Sequence, residues 1–112
     1  MQHKKDSLFE SAYLVLNEAK TPTPKEAALL KMVVDNSDII SPKVKTLGYN
    51  LSKELTKPSF DTDDDGFLHI VCKNIYVYLL TKSQVKTGGF GESDNELIVK
   101  GEDGMFFVVV AV

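Results

Sequence analysis

The chain has 112 residues, of which 43% are hydrophobic and 26% are charged, with a formal net charge of −3. This length and composition predict one globular domain and exclude a disordered tail and a long apolar membrane span. The charged N-terminal sequence lacks the apolar run of a signal peptide, so we expect a cytoplasmic location. Cys72 is the single cysteine, which excludes an intrachain disulfide and a cysteine-based zinc site.

All 13 basic residues are lysine, a composition typical of AT-rich genomes such as those of phages and mobile elements. Lysine is a point charge and lacks the bidentate fork with which arginine recognises guanine and phosphate. Residues 1–57 carry nine lysines and seven acids, whereas residues 58–112 carry four lysines and nine acids. If the protein binds an anion, the first half of the chain is therefore expected to bind it.

The first half of the chain has helical periodicity. Apolar residues recur at helical spacing from Ser7 to Ala19, which predicts an amphipathic helix. Thr23 in the N-cap position, with Pro24 and Glu26 after it, predicts a second helix from Pro24 to about Val34.

A third helix is predicted from Pro42 to about Leu55, because Ser41-Pro42 repeats the same start signal. Gly48 weakens this helix by about 1 kcal/mol relative to alanine.

Beyond Pro58 the pattern changes to runs of β-branched and aromatic residues, which predict three or four antiparallel strands. Whether residues 67–80 form one strand or a hairpin broken at Lys73-Asn74 is left open by the sequence. The predicted fold is therefore α+β, with helices in residues 1–57 packed on a sheet in residues 58–112. The strand segments are FLHIVC, NIYVYLL, ELIV and MFFVVVAV. The predicted core consists of Leu8, Ala12, Val15, Leu29, Val33, Leu47, Leu51, Ile70, Ile75, Val77, Leu79, Ile98, Phe107 and Val109.

The stretch DTDDDGF places Asp61, Asp63 and Asp65 at alternate positions before a glycine. This spacing resembles the first part of an EF-hand calcium loop, which implies a weak calcium or magnesium site. The closing glutamate of that loop is replaced here by Cys72, a soft ligand unsuited to calcium. The favoured interpretation is therefore an acidic turn between the two halves of the chain, with no cofactor, and the weak cation site is the alternative.

We find no catalytic constellation and expect a protein that is not an enzyme. His69 and Cys72 would point to opposite faces of a strand, so they do not form a nucleophile and base pair. The glycines of TGGFGESD do not link a strand to a helix as phosphate-binding loops do, and they predict a flexible hairpin tip.

Three helices followed by a hairpin resemble the order of a winged-helix domain, which implies a DNA-binding regulator as one function. The resemblance implies that the third helix enters the major groove. Against this function stand the acidic net charge, the lack of arginine and the acids in the presumed wing. The residues that would contact DNA are Lys43, Lys45, Thr46, Asn50 and Lys53.

The favoured prediction is a small regulatory or inhibitory module that binds another protein. Phe90 would supply an apolar anchor, and the neighbouring acids Glu92, Asp94 and Glu96 would steer a basic partner. The apolar C-terminal strand could also add to a partner sheet or pair with its own copy in a homodimer.

Overall fold

The computed structural model describes residues 22–112, so the predicted helix from Ser7 to Ala19 and the predicted core residues Leu8, Ala12 and Val15 lie outside it. The described part is α+β, with four helices and a five-stranded antiparallel sheet. The predicted class is confirmed, with one strand more than expected. No helix within residues 22–112 has the length and apolar character needed to cross a bilayer. The elements are α1 (Pro24–Asp35), α2 (Ser37–Thr46), α3 (Leu51–Glu54), β1 (Ser59–Thr62), β2 (Leu68–Val71), β3 (Ile75–Thr81), α4 (Lys82–Thr87), β4 (Glu96–Lys100) and β5 (Met105–Ala111).

Helix α1 begins where the sequence predicts. The Thr23 hydroxyl accepts a hydrogen bond from the Glu26 N–H at 3.2 Å, and the Glu26 carboxylate accepts one from the Thr23 N–H at 2.9 Å. This capping box satisfies two N–H groups that the first turn leaves without helical partners. Leu30 and Val33 are fully buried on the inner face of the helix.

The predicted third helix is wrong in both of its bounds. Helix α2 begins at Ser37, because the Asn36 carbonyl already accepts hydrogen bonds from the N–H groups of Ile39 and Ile40. Pro42 therefore lies inside the helix instead of starting it. Burial of Ile40 and Val44, one turn apart and both fully inaccessible, offsets the backbone hydrogen bond that proline cannot make.

Gly48 ends α2, whereas the sequence analysis treated it as a weak point within a longer helix. It has a φ of +93°, and its N–H donates to the Lys45 carbonyl at 2.9 Å. The next residue, Tyr49, donates to the Val44 carbonyl at 3.2 Å. These bonds form a Schellman motif, which requires the left-handed conformation that glycine adopts without strain. The Asn50 side chain then accepts from the Lys53 N–H at 3.3 Å and caps α3.

The sheet has the strand order β1-β2-β3-β5-β4, and every neighbouring pair is antiparallel. The four predicted strand segments are confirmed as β2 to β5. The residues between 67 and 80 form a hairpin, since the Cys72 N–H donates to the Ile75 carbonyl at 2.9 Å across the turn. β1 was missed because it is a short, largely exposed edge strand of polar sequence.

Helices α1 to α3 cover one side of the sheet, which we call the helical face. Along each strand, residues that face the helices alternate with residues on the opposite side of the sheet, as a period of two requires. Most of the described core prediction is confirmed on the helical face, and Leu47 and Leu79 are partly buried against it. The fully or nearly fully buried members of that prediction are Leu29, Val33, Leu51, Ile70, Ile75, Val77, Phe107 and Val109.

The other side of the sheet, which we call the crossover face, carries a smaller cluster. Tyr78, Leu80 and Val108 are buried there, with half-buried aromatic residues around them. The prediction that Ile98 is a core residue is wrong: it exposes 38% of its surface, because it lies on this face of the edge strand β4.

A buried polar contact ties the helices to the sheet. Glu54, at the end of α3, is only 6% exposed. Its carboxylate accepts hydrogen bonds from the Asn74 N–H at 2.7 Å and from the Asn74 side-chain amide at 2.8 Å. Asn74 lies in the β2–β3 turn, so the contact fixes α3 over that end of the sheet.

The C-terminal strand β5 lies between β3 and β4 and pairs with both. Its backbone therefore has no open edge, so the prediction that this C-terminal strand pairs with another sheet is wrong. Within residues 22–112 the sheet edges are β1 and β4, and pairing of this sheet with another has to use one of them.

Candidate protein-binding site

The connection from β3 to β4 crosses one side of the sheet and carries Glu92 and Asp94, two of the three acids predicted to bind a partner. The third, Glu96, is the first residue of β4. The connection consists of α4 and the loop of residues 88–95, which we call the crossover loop. The Thr81 hydroxyl accepts from the Gln84 N–H at 3.2 Å, and the Gln84 side chain accepts from the Thr81 N–H at 2.9 Å. This Thr-x-x-Gln capping box is the sequence signal that would have predicted α4.

Phe90 faces the sheet and is half-buried. Its ring lies 4.8 Å from the ring of Tyr78, with a 54° angle between the planes. A Cβ atom at Gly88 would lie 2.5 Å from the Phe90 ring, so the backbone approaches the ring as closely as glycine allows. Phe90 was predicted to contact a partner, and the structure places it as the residue that holds the loop on the crossover face.

Hydrogen bonds fix the rest of the crossover loop at both ends. The Phe90 N–H donates to the Val85 carbonyl at 3.1 Å, and the Gly91 N–H donates to the Glu96 carboxylate at 2.8 Å. Near β4, the Asn95 side-chain amide donates to the Ala111 carbonyl at 3.0 Å. The loop is therefore pre-organised, although its glycines predicted a flexible tip.

The three predicted acids take different positions on this frame. Glu92 and Asp94 are exposed, and neither forms an ion pair or a side-chain hydrogen bond with another residue of the 22–112 range. Glu96 is half-buried and holds Gly91. The carboxylates of Glu92 and Asp94 are thus the groups that the loop offers to solvent.

The residues predicted to contact DNA do not share a helix. Lys43, Lys45 and Thr46 lie on α2, Asn50 caps α3 and Lys53 belongs to α3. All five are exposed, and Lys45 and Asn50 border a cleft of about 490 Å³. The winged-helix resemblance implies one continuous recognition helix. The Schellman motif divides this segment into α2 and α3.

Asp61 and Thr62 of the DTDDDG stretch end β1, and residues 63–66 form the turn that leads to β2. One Asp63 oxygen accepts from the N–H groups of Asp65 at 3.0 Å and Phe67 at 2.9 Å, and the other accepts from the Tyr78 hydroxyl at 3.3 Å. Gly66 has a φ of +82°, as such a turn requires. Within residues 22–112, no group of three or more His, Cys, Asp or Glu side chains is placed to hold a metal ion. The predicted set of Asp61, Asp63 and Asp65 is therefore not brought together as such a group.

His69 and Cys72 lie on opposite sides of the sheet, as the strand period predicts. His69 stacks on Tyr78 with ring centroids 4.5 Å apart, and its Nδ1 lies 3.2 Å from the Phe67 carbonyl oxygen. Cys72 belongs to the core of the helical face. Burial, together with the nearby Glu54 carboxylate, raises the pKa of the Cys72 thiol to about 12, which keeps it protonated and unreactive at neutral pH.

The crossover loop can bind a basic group through charge-assisted contacts, because Glu92 and Asp94 are held on a fixed frame without a basic partner among residues 22–112. The sequence predicted these acids from their clustering, and the inward direction of Phe90 follows only from the crossover path. Neither a protein-family model, nor a curated protein, nor a solved structure matches this chain.

Proposed function

We propose that the protein is a non-enzymatic regulatory or inhibitory module that binds a protein partner with a basic surface through Glu92 and Asp94. The observation that supports this function is the pre-organised crossover loop. It is fixed by Phe90 beneath it and by hydrogen bonds at both ends, and the carboxylates of Glu92 and Asp94 on it are exposed.

Pre-organisation matters because ordering a flexible loop on binding costs free energy that a fixed loop has already lost on folding. Exposed charges contribute more to association rate and partner choice than to affinity. The binding is therefore expected to be fast and salt-sensitive, and to weaken as ionic strength screens the carboxylates.

The test uses the full-length protein as bait in a lysate of its host, followed by binding measurements on each captured protein. We expect Glu92→Lys with Asp94→Lys to weaken binding by at least about tenfold, because a few exposed ion pairs with the partner are lost. The matched control is Asp64→Lys with Asp65→Lys, which changes the net charge equally on the exposed β1–β2 turn. Equal loss in both variants would show that overall charge, and not the crossover loop, determines capture.

Random-sequence duplex DNA is the second probe, and it tests the winged-helix alternative. Phosphate-driven binding weakens as salt rises, and it would be lost in Lys43→Glu with Lys45→Glu. If that pattern were found and Glu92→Lys with Asp94→Lys left protein capture unchanged, the DNA-binding function would replace the one proposed.

A further inference from the structure

The edge strand β4 has backbone groups directed away from its own sheet. Next to the strand, the Gly101 N–H donates to the Met105 carbonyl at 2.9 Å, so this pair is hydrogen-bonded. Hydrogen-bonded and non-hydrogen-bonded pairs alternate along antiparallel strands. The N–H and C=O groups of Ile98 and Lys100 therefore point to the open side of the sheet.

The sequence of β4 is complementary to itself in an antiparallel arrangement. The strand reads Glu96-Leu97-Ile98-Val99-Lys100. If a second copy runs antiparallel with Ile98 opposite its own counterpart, each glutamate lies opposite a lysine and each leucine opposite a valine. Directly opposed residues share a face of the sheet, so the charges and the isoleucines all meet on the crossover face.

The backbone permits the same register. Since Ile98 directs both of its polar groups outward, the two Ile98 residues would exchange two hydrogen bonds, and each Lys100 N–H would donate to the Glu96 carbonyl of the other copy. The Glu96 N–H already donates to the Ser93 carbonyl at 3.1 Å and takes no part.

Edge strands usually carry charges that prevent pairing with another sheet. On β4 the two charges have opposite signs and lie symmetrically about Ile98, so they attract the second copy instead of repelling it. Ile98 is 38% exposed and would be covered by its counterpart. The other edge, β1, carries Asp61 as its only charged residue and has no such symmetry.

We propose that two copies of this chain form a symmetric dimer by antiparallel pairing of β4 with β4, centred on Ile98. The two five-stranded sheets become one continuous sheet, with both crossover faces on the same side. This dimer does not depend on the function proposed for Glu92 and Asp94.

Sedimentation of the full-length protein over a range of concentrations tests the dimer. Lys100→Glu places a glutamate opposite Glu96 at two sites and is expected to weaken dimerisation by at least about tenfold. The control Lys82→Glu reverses an exposed charge on α4 and is expected to leave the dimer intact. A wild-type monomer at all concentrations, or a Lys100→Glu dimer as stable as the wild type, would overturn the proposal.

Disulfide trapping tests the register. Hydrogen-bonded antiparallel pairs have Cα atoms about 5.5 Å apart, within the range that a disulfide spans. Ile98→Cys is therefore expected to give a covalent dimer on mild oxidation, and Lys82→Cys is expected to stay monomeric. The native Cys72 is buried and does not interfere. Failure of Ile98→Cys to cross-link, or equal cross-linking of Lys82→Cys, would contradict pairing centred on this residue.

Discussion

The two faces of the sheet are stabilised in different ways. The helical face has one large aliphatic core, in which residues from three helices pack against those from the strands. The crossover face has a small cluster of Tyr78, Leu80 and Val108, with the buried His69 stacked on Tyr78. The Phe90 ring holds the crossover loop on this cluster, and the Tyr78 hydroxyl holds the β1–β2 turn by its hydrogen bond to Asp63. Most of the unfolding free energy is therefore expected from the helical face, while the crossover face presents the exposed carboxylates.

The largest expected loss of unfolding free energy follows from truncating a side chain on the helical face. Leu30 is fully inaccessible, and Leu30→Ala is expected to lower the free energy of unfolding by about 3 kcal/mol through lost burial and a residual cavity. Urea unfolding measures this loss. A value near that of an exposed substitution such as Met32→Ala would show that the helical core is not the main source of stability.

Truncation on the crossover face is expected to cost less. Phe90 is half-buried, so Phe90→Ala should lower the free energy of unfolding by about 1–2 kcal/mol, below the value for a fully buried phenylalanine. Amide hydrogen exchange should accelerate more in residues 88–95 than in α1. Phe90→Leu, which keeps most of the apolar volume, serves as the control. Equal acceleration on both faces would show that they unfold as one unit.

The hydrogen bond from Tyr78 to Asp63 is expected to contribute about 1 kcal/mol, the usual net value for such a bond. Tyr78→Phe removes the hydroxyl and leaves the ring stacked on His69. Tyr76→Phe is the matched control, since the Tyr76 hydroxyl makes no side-chain hydrogen bond with residues 22–112. A larger effect at Tyr76, measured by thermal unfolding, would contradict this assignment.

The smallest expected effect is the pH dependence of the unfolding free energy that arises from Cys72 on the helical face and Tyr78 on the crossover face. It is absent at neutral pH and develops only in alkaline solution. Burial raises both pKa values, with Glu54 as the second cause at Cys72 and Asp63 at Tyr78. A group whose pKa rises on folding binds its proton more tightly in the folded state. The contribution of the Cys72 thiol to the unfolding free energy is therefore constant below its ordinary pKa of 9.0 and falls as pH increases toward the folded value of about 12.

Denaturant unfolding at a series of alkaline pH values measures this decline. Cys72→Ala should make it shallower from about pH 9 upward, because the thiol no longer ionises on unfolding. An unchanged slope in Cys72→Ala would assign the decline to Tyr78 and other groups.

Periodicity predicted the helical and strand regions well where burial and local pattern agree. It predicted β2 to β5, and the capping box with its proline predicted the start of α1. The start signal at Ser41-Pro42 failed, because the burial of Ile40 and Val44 outweighs it. Periodicity also failed at Ile98, which lies on the crossover face of the edge strand β4, whereas its neighbour Val99 on the helical face is buried.

The candidate site could be predicted only in part. The acids at Glu92 and Asp94 are visible as a cluster in the sequence. The inward direction of Phe90 depends on the path of the connection across β5, which a local pattern does not contain. The complementarity of β4 also has meaning only once the strand order places it at an edge.

The buried contact between Glu54 and Asn74 also restricts which packing arrangements the chain can adopt. If α3 were rotated or shifted by one turn, the carboxylate would be buried without its two donors, at a cost of about 1–3 kcal/mol or more for a charged group. Alternative packings with similar apolar burial are thereby penalised. Glu54 is therefore expected to select one orientation of the helices on the sheet, and to matter more for the uniqueness of the native state than for its stability.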